Sequence, residues 1–551
     1  MRPHIFVKEI LEEVLEGWGV TWPDKTIIET PREKRFGDLA TNIAMLLARE
    51  MKRSPREIAE DAANLIREKG IEEIERIEVA GVGFLNFYFS PSMWQRILLE
   101  VLEQEDFGRS LMGKGKRVLV EYVSANPTGP LHVGHGRGAA VGDSLTRILR
   151  FAGYEVDTEY YINDAGRQIS LLGKSIFIRY KNLLGGEEKL CEDCYKGEYI
   201  IDIARRLKDT YGDGLLEKEE IEAIEICADF GKDLILKEIK QDLKDFRVEH
   251  RVWFSENSLI KSQAISRTFE ELEKRGFLYE KDEALWFKSS TFGDTKDRVV
   301  RKSSGDLTYF ASDIAYHRDK LLRGYDLLID IWGADHHGYI PRMKAAIEAL
   351  GYNRDMLEVI LIQLVNLMRE GENISMSTRA GEFITLRAVM EEVGIDATRF
   401  IFLSRKADSH LDFDLELAKK KSMDNPVFYV QYAHARICSI FAKARERDIS
   451  LSLRPEEVTS LLREEEEIDI LKKLNEFPEI IETCARVLSP HLISYYLIEL
   501  AGLLHQYYNR HSILSAEKRE LTLARMYLLK AVKRVIASGL GLLGVEAPER
   551  M

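Results

Sequence analysis

The stretch Glu121-Tyr-Val-Ser-Ala-Asn-Pro-Thr-Gly-Pro-Leu-His-Val-Gly-His135, continued by Gly136-Arg137-Gly138, decides how this chain is read. Arg117 to Val123, leading into it, is a short apolar and β-branched run with the character of a buried strand. Beyond it, Ala139 to Phe151 carries Val141, Leu145, Ile148 and Leu149 at helical spacing. Pro127, Gly129 and Pro130 turn the chain sharply between the two. The pattern is strand, tight turn, helix, and it delivers His132 and His135 to the helix's first turn. A helix start offers unpaired backbone N–H groups and the positive end of a dipole, so it attracts phosphate. Two imidazoles one turn apart at such a place would grip a nucleotide whose charge rearranges during reaction. A zinc pair and chance spacing are the competing readings, although no Glu at metalloprotease spacing and no third ligand stand nearby.

Taken whole, with Asn126-Pro-Thr-Gly-Pro130 upstream, the run resembles the HIGH signature of class I aminoacyl-tRNA synthetases, and its flanks resemble the arginyl family. The resemblance implies a multidomain α/β protein. Residues 1–112 would be an N-terminal α+β additional domain that contacts the tRNA elbow around the D-loop. Residues 113–420 would be a Rossmann-like parallel-sheet catalytic domain with an insertion at about 170–290. Residues 421–551 would be an all-α anticodon-binding bundle. The implied reaction is ATP-dependent ligation of L-arginine to tRNA(Arg) through arginyl-adenylate, with release of AMP and pyrophosphate.

Composition sets the bounds within which that reading must fit. At 551 residues the chain is too long for one core. A formal net charge of −13 does not advertise nucleic-acid binding, but RNA is gripped by local basic patches rather than by whole-chain charge. Met1 to Leu15 mixes charged residues among its apolar ones, and no apolar segment approaches the length of a membrane span, so a cytoplasmic protein is expected. Five scattered cysteines fit a reducing compartment. Cys191 and Cys194 form a lone Cys-x-x-Cys, read as chance in preference to a disulfide.

Along the chain, Ile5 to Leu15, Leu39 to Met51 and Ile58 to Lys69 read as helices, and Ile74 to Phe89 as strands around a glycine turn. Phe36-Gly-Asp-Leu-Ala-Thr-Asn42 and Gly83-Phe-Leu-Asn86 resemble the additional domain, which makes Phe84 and Asn86 candidate tRNA contacts, with a place in the core as the alternative for the aromatic. Tyr160-Tyr-Ile-Asn-Asp-Ala-Gly-Arg-Gln168 is also typical of the arginyl family. Tyr309 and Asp313 share one face if they lie on a helix. A carboxylate beside an apolar strand needs solvent or a cation, and guanidinium is a planar fork that a carboxylate can meet bidentately. The resemblance places Glu121, Tyr309 and Asp313 around the arginine side chain, and Ser124 and Asn126 at its α-amino end. For ATP it points to Thr128, Gly129, His132, Gly134 and His135. Gly333, Asp335 and His336, in a polar loop after the strand-like Asp326 to Trp332, are further candidates, because open α/β sheets bind ligands at strand C-termini.

Glu372-Asn-Ile-Ser-Met-Ser-Thr-Arg-Ala-Gly381 stands where the family has its second signature, usually Lys-Met-Ser-Lys. Ser375 and Thr378 replace both lysines and leave Met376, Ser377 and Arg379 as the catalytic candidates. The positive charge for the phosphates must then come from Arg379, Arg137 or Lys302. Magnesium would arrive on ATP, and no structural metal is expected. From Asn425 onward only helical periodicity remains. Tyr507, Asn509 and Met551 are the candidate tRNA contacts there, with Tyr507 as a possible stacking platform for an unpaired base. A monomer is expected, with tRNA(Arg), L-arginine and ATP as partners. A nucleotidylyltransferase that shares only His-x-Gly-His, and a tRNA-binding paralogue with a decayed site, are the rival readings.

Overall fold

The computed structural model describes residues 2–374, 384–515 and 517–551. Its first unit is a four-stranded antiparallel sheet in the spatial order Ile28–Glu29, Leu39–Thr41, Phe84–Phe89, Ile74–Ala80. Helices Pro3–Trp18, Ile43–Met51 and Pro55–Glu68 cover it through a continuous set of buried aliphatic side chains. One helical expectation is corrected here. Leu39–Thr41 is a buried strand facing Leu85 to Phe87, and the helix begins only at Ile43. Three residues are too few for periodicity to separate from the helix that follows.

The second unit is a five-stranded parallel sheet built from β1 (Arg117–Glu121), β2 (Glu155–Ile162), β3 (Val252–Ser255), β4 (Leu327–Gly333) and β5 (Leu357–Ile362). Its spatial order is β5-β4-β1-β2-β3, with every neighbouring pair parallel. Helix α1 (Val133–Phe151) follows β1, and helix α2 (Tyr309–Leu322) precedes β4. From β1 the strands run outward in both directions, so the order reverses between β1 and β4. A crevice opens at such a switch point, beyond the strands' C-terminal ends.

The insertion is shorter than expected. Helices Arg167–Leu183, Glu198–Tyr211 and Glu220–Asp245 pack together, but the chain then returns to the sheet as β3, the edge strand beside β2. A four-residue strand between charged helices leaves almost no alternation to read. Further on, Leu278–Lys281, Ala284–Phe287 and Arg298–Arg301 form a small antiparallel sheet. Cys191 and Cys194 are joined by a disulfide, against the reading of chance spacing. Three residues apart in a turn, their side chains are brought together by the backbone itself.

Among the described residues from Asn425 onward there are helices and no strands, the long ones being Pro426–Glu446, Glu465–Val487, His491–Arg510 and Arg519–Leu542. In their core Glu467 is buried and accepts from Arg525 Nε and the Tyr507 hydroxyl, both at 2.9 Å. Among the described residues no helix is long and apolar enough to cross a membrane.

Helix α1 lies close on the sheet because Gly138, Ala139, Ala140 and Gly142 keep its buried face small. A Cβ at position 142 would come within 2.2 Å of the buried Tyr122 ring. Gly142→Ala therefore overpacks the contact at a cost of about 1–3 kcal/mol, against a helix-propensity gain of about 1 kcal/mol. The expected result is a lower melting temperature of the catalytic unit by circular dichroism; an unchanged or raised value would show that the helix can move away freely.

Candidate active site

At the switch point lies a cleft of about 920 Å³, walled by the chain leaving β1 (Val123 to Asn126), the start of α1 (His132 to His135), the end of β4 (Ile331 to His336) and the exit from β5. Ser124, Asn126, His132, Gly134, His135, Gly333, Asp335 and His336 are all brought together here as anticipated. Thr128 and Gly129 are not in this lining. The Tyr199 hydroxyl, from the insertion, donates to the Thr128 carbonyl at 2.8 Å, and its ring covers Gly129. Both positions pack against the insertion, a contact that a sequence separation of some seventy residues had hidden.

The histidines cap the helix with each other. His132 Nδ1 accepts from the backbone N–H groups of Gly134 (3.1 Å) and His135 (3.4 Å), and His135 Nδ1 accepts from the His132 N–H (3.3 Å). Their rings stack with centroids 3.6 Å apart. The backbone donors expected to attract phosphate are thus already used at Gly134 and His135. Because each Nδ1 is an acceptor, the ring proton of each neutral histidine lies on Nε2. Burial lowers both basicities, and the neighbouring His132 lowers His135 further, to about 3. At neutral pH both rings are therefore uncharged, with the proton on Nε2.

Before the histidines the backbone is strained. Val123 and Ser124 are consecutive non-glycine residues with left-handed φ values of 71° and 40°. A left-handed conformation costs such residues about 1–2 kcal/mol each and needs outside support. Ser124 Oγ supplies it by donating to Glu121 Oε1 at 2.8 Å and accepting from the Tyr161 N–H at 3.1 Å. Ser124, expected at the α-amino group of arginine, thus also holds the turn with its hydroxyl proton and one of its two lone pairs. His250 Nε2 meets the Tyr122 carbonyl at 3.2 Å, and the Tyr160 hydroxyl donates to the Ala125 carbonyl at 2.8 Å. Asn126, just past the turn, is exposed at the cleft.

Glu121 is buried and already bound to Lys320, at 2.5 Å. Asp313, on α2, behaves differently. It is half-buried, and it accepts a hydrogen bond from the Tyr339 hydroxyl, whose ring packs against Trp332 and His336 of the cleft wall. Among the described residues it forms no ion pair. Burial pushes its carboxyl up, and the Tyr339 hydrogen bond opposes this. Glu256, which the sequence reading missed, is a second buried carboxylate without an ion pair among the described residues. Burial also pushes it up, Asp313 adds to this, and Ser312 and Tyr161 oppose it. Its signal in the sequence was one Glu among many in a charged helical stretch. Tyr309 stands one turn before Asp313 as predicted, and is 66% exposed.

Met376, Ser377 and Arg379 lie outside the described residues, as do Ser375 and Thr378. The ends of that segment are at the cleft: Asn373 and Ile374 line it, and Thr385 forms a β-bridge with His132. Arg137 is no phosphate ligand. It is fully buried, and its guanidinium donates to the carbonyls of Gln363, Lys406 and Ser409 at 2.7–2.9 Å. Lys302 is exposed in the turn before α2. Among the described residues no group of three or more His, Cys, Asp or Glu is arranged to hold a metal ion.

The tRNA candidates divide. Phe84 is exposed, but Asn86 is 3% exposed in a central strand between Ala40 and Glu78 and is corrected to a core position. Tyr507 is likewise buried, with its hydroxyl on Glu467, so it cannot stack on a base. Asn509 and Met551 are exposed. Near Asn509, the Arg436 guanidinium lies over the rings of both Tyr432 and Tyr508, at 4.7 and 4.6 Å. Three partly exposed planar groups stacked in this way form a surface suited to unpaired bases.

Comparison with known proteins covers nearly the whole chain. Residues 6–89 match the arginyl tRNA synthetase N terminal domain, 98–414 the tRNA synthetases class I (R) catalytic domain, and 430–551 the DALR anticodon binding domain. The arginine–tRNA ligase of Solidesulfovibrio magneticus is 53% identical, with all of both chains covered. That of Nitratidesulfovibrio vulgaris is 53% identical over 98% of each. The arginyl-tRNA synthetase structure of Thermus thermophilus superposes with a TM-score of 0.77 over the full length of both chains at 22% identity, a likeness of fold.

The histidine pair makes stability depend on pH. With His135 at about 3 in the fold and near 6.5 when unfolded, the unfolded chain binds a proton that the folded one refuses. The contribution of the neutral ring is present above pH 6.5 and is lost as pH falls towards 3. At pH 5 the loss is roughly 2 kcal/mol. In urea titrations at pH 7.5 and 5.0 the stability advantage of the wild type over His135→Gln should shrink by about that amount; a gap independent of pH would mean that the ring is not neutral.

Proposed function

The chain belongs to the arginyl-tRNA synthetases, and we propose that it attaches L-arginine to tRNA(Arg) with ATP, in the cleft between β1 and β4, with Asp313 as the anchor of the arginine side chain. The observation that carries this assignment is a charge mismatch. Glu121, with Lys320 against it, has its cation within the protein, whereas Asp313 and Glu256 have no such partner among the described residues. Leaving two partly buried carboxylates without a counter-ion is costly, so the site is built for a cation that comes and goes. A guanidinium supplies the charge and the planar fork.

In the first step the arginine carboxylate attacks the α-phosphorus of ATP. The bond to the bridging oxygen breaks, pyrophosphate leaves, and arginyl-adenylate remains. The Nε2–H groups of His132 and His135 then serve as fixed, uncharged donors to phosphate oxygens on which charge builds up. Asn126 faces the α-amino group, and Gly333, Asp335 and His336 face the adenosine. In the second step a ribose hydroxyl of the tRNA's terminal adenosine attacks the arginyl carbonyl, and AMP departs. No covalent enzyme intermediate is needed; positioning does the work. Magnesium arrives with ATP. Arg379 supplies cationic charge at the phosphates, an assignment supported by the position of its segment's two ends at the cleft. The enzyme acts as a cytoplasmic monomer, with Phe84, Asn509 and Met551 on its tRNA-facing surface.

Pyrophosphate exchange into ATP, run with arginine and with or without tRNA(Arg), tests the reading. Exchange that depends on arginine and requires the tRNA is expected; none under either condition would exclude adenylate formation here. Asp313→Asn should lower kcat/KM for arginine at least ~100-fold, the scale of a lost buried ion pair, and leave tRNA affinity nearly unchanged. Unchanged arginine kinetics would remove Asp313 from the pocket.

A further inference from the structure

The parallel register sets three buried carboxylates side by side, Glu159 on β2, Glu121 on β1 and Asp330 on β4. Adjacent strands lie about 4.8 Å apart, so such a row repels itself unless cations enter it. Helix α2 and the residue just past it provide them. Arg323 meets both oxygens of Glu159, at 2.6 and 2.9 Å, and the Tyr316 hydroxyl donates to the same carboxylate at 2.6 Å. His317 Nε2 meets Asp330 at 2.8 Å. Lys320, 0% exposed, sits between Glu121 at 2.5 Å and Asp330 at 2.7 Å. The other oxygen of Glu121 receives the Ser124 hydroxyl, which also takes the Tyr161 N–H across the strained turn.

We infer that Lys320 is a positioning residue for adenylate formation: through Glu121 and Ser124 it holds Val123 and Ser124 in their left-handed conformation and so aims Asn126 and the His132–His135 helix start into the cleft. Lys320 itself touches no substrate. Its Nζ fixes one oxygen of Glu121, which leaves the second pointed at Ser124. Without that grip the carboxylate is free to turn or take up a proton, the serine loses its acceptor, and the turn relaxes towards right-handed backbone. The groups downstream of it are the ones the reaction needs aligned, and small misplacements at a reacting centre carry large rate penalties. The inference rests on the reading of the cleft as the adenylate-forming site.

The test is a double-mutant cycle in the full-length enzyme, read by pyrophosphate exchange with arginine and tRNA(Arg). Lys320→Met and Ser124→Ala should each lower kcat by roughly 10- to 100-fold with KM for arginine and ATP within about threefold, as expected for lost alignment. Combined, they should be no worse than the poorer single variant, because both break one chain of contacts. Val123→Gly, which adopts a left-handed φ without strain, should restore part of the Ser124→Ala loss. If Lys320→Met does not fold, Glu121→Gln, which removes the carboxylate that Lys320 grips and leaves Lys320 on Asp330, takes its place in the cycle with the same expectation. Losses that multiply, no rescue by Val123→Gly, or a rise in arginine KM at constant kcat would each overturn the inference, the last by making Ser124 a substrate contact. Failure of the wild type to exchange would instead refute the reading of the cleft.

Discussion

Burying three aligned carboxylates beneath the cleft is the constraint from which much of this catalytic unit follows. The row Glu159, Glu121, Asp330 crosses the centre of the sheet, where water cannot screen it. Helix α2 accordingly lies across β1, β2 and β4 with Lys320 and Arg323 turned inward onto these carboxylates. That orientation in turn fixes Asp313, two turns earlier on the same helix, beside the cleft wall. One electrostatic arrangement thus sets both the floor of the site and the position of its uncompensated carboxylate. Pairs of this kind add little net stability, but breaking one leaves a buried charge without a partner, so they enforce a single geometry.

The histidines show the same economy in hydrogen bonds. A helix beginning in a glycine-rich turn has several orphan N–H groups. Here the two side chains of the signature take them up at Gly134, His135 and His132, and in doing so fix their own tautomers. The ring stack and the burial that keep them neutral follow from that mutual capping. The cleft accordingly presents imidazoles held in one tautomer, with His135 neutral throughout the physiological pH range.

The fold was legible wherever elements were long or the chain ran through a distinctive motif. Strand, turn and helix around Glu121–His135 stand as read, as do the all-helical region beyond Asn425 and the shared helical face of Tyr309 and Asp313. The short strands Leu39–Thr41 and Val252–Ser255 escaped because three or four residues carry no usable period. Asn86 and Tyr507 were candidate tRNA contacts because the stretches around them resemble the arginyl family, yet neighbouring strands and helices enclose both. Lys320, Glu256 and Tyr199 could not be found from sequence, because each acts on a partner whose proximity exists only once the chain is folded. Residue types announce what a side chain can do, while the register of β1, β2 and β4 decides whether its charge is spent inside or kept for a ligand.

That distinction also locates the charge for the phosphates. The described cleft lining includes no Lys or Arg, and its two histidines are neutral donors. Arg137, the basic residue nearest the signature, is spent on three carbonyls, those of Gln363, Lys406 and Ser409. Two of these carbonyls belong to the 406–409 segment, which leads into strand Leu411–Asp414, and that strand pairs with Val365–Arg369 on the way to Asn373 and Ile374 at the cleft. Arg137 thus ties the histidine helix to the approach of the segment that carries Arg379, while Thr385 bonds that segment's far end to His132. The described walls of the cleft thus offer hydrogen-bond donors without a lysine or arginine, and of the two flanks of the segment 375–383 one lines the cleft at Asn373 and Ile374 while the other meets the histidine turn at Thr385.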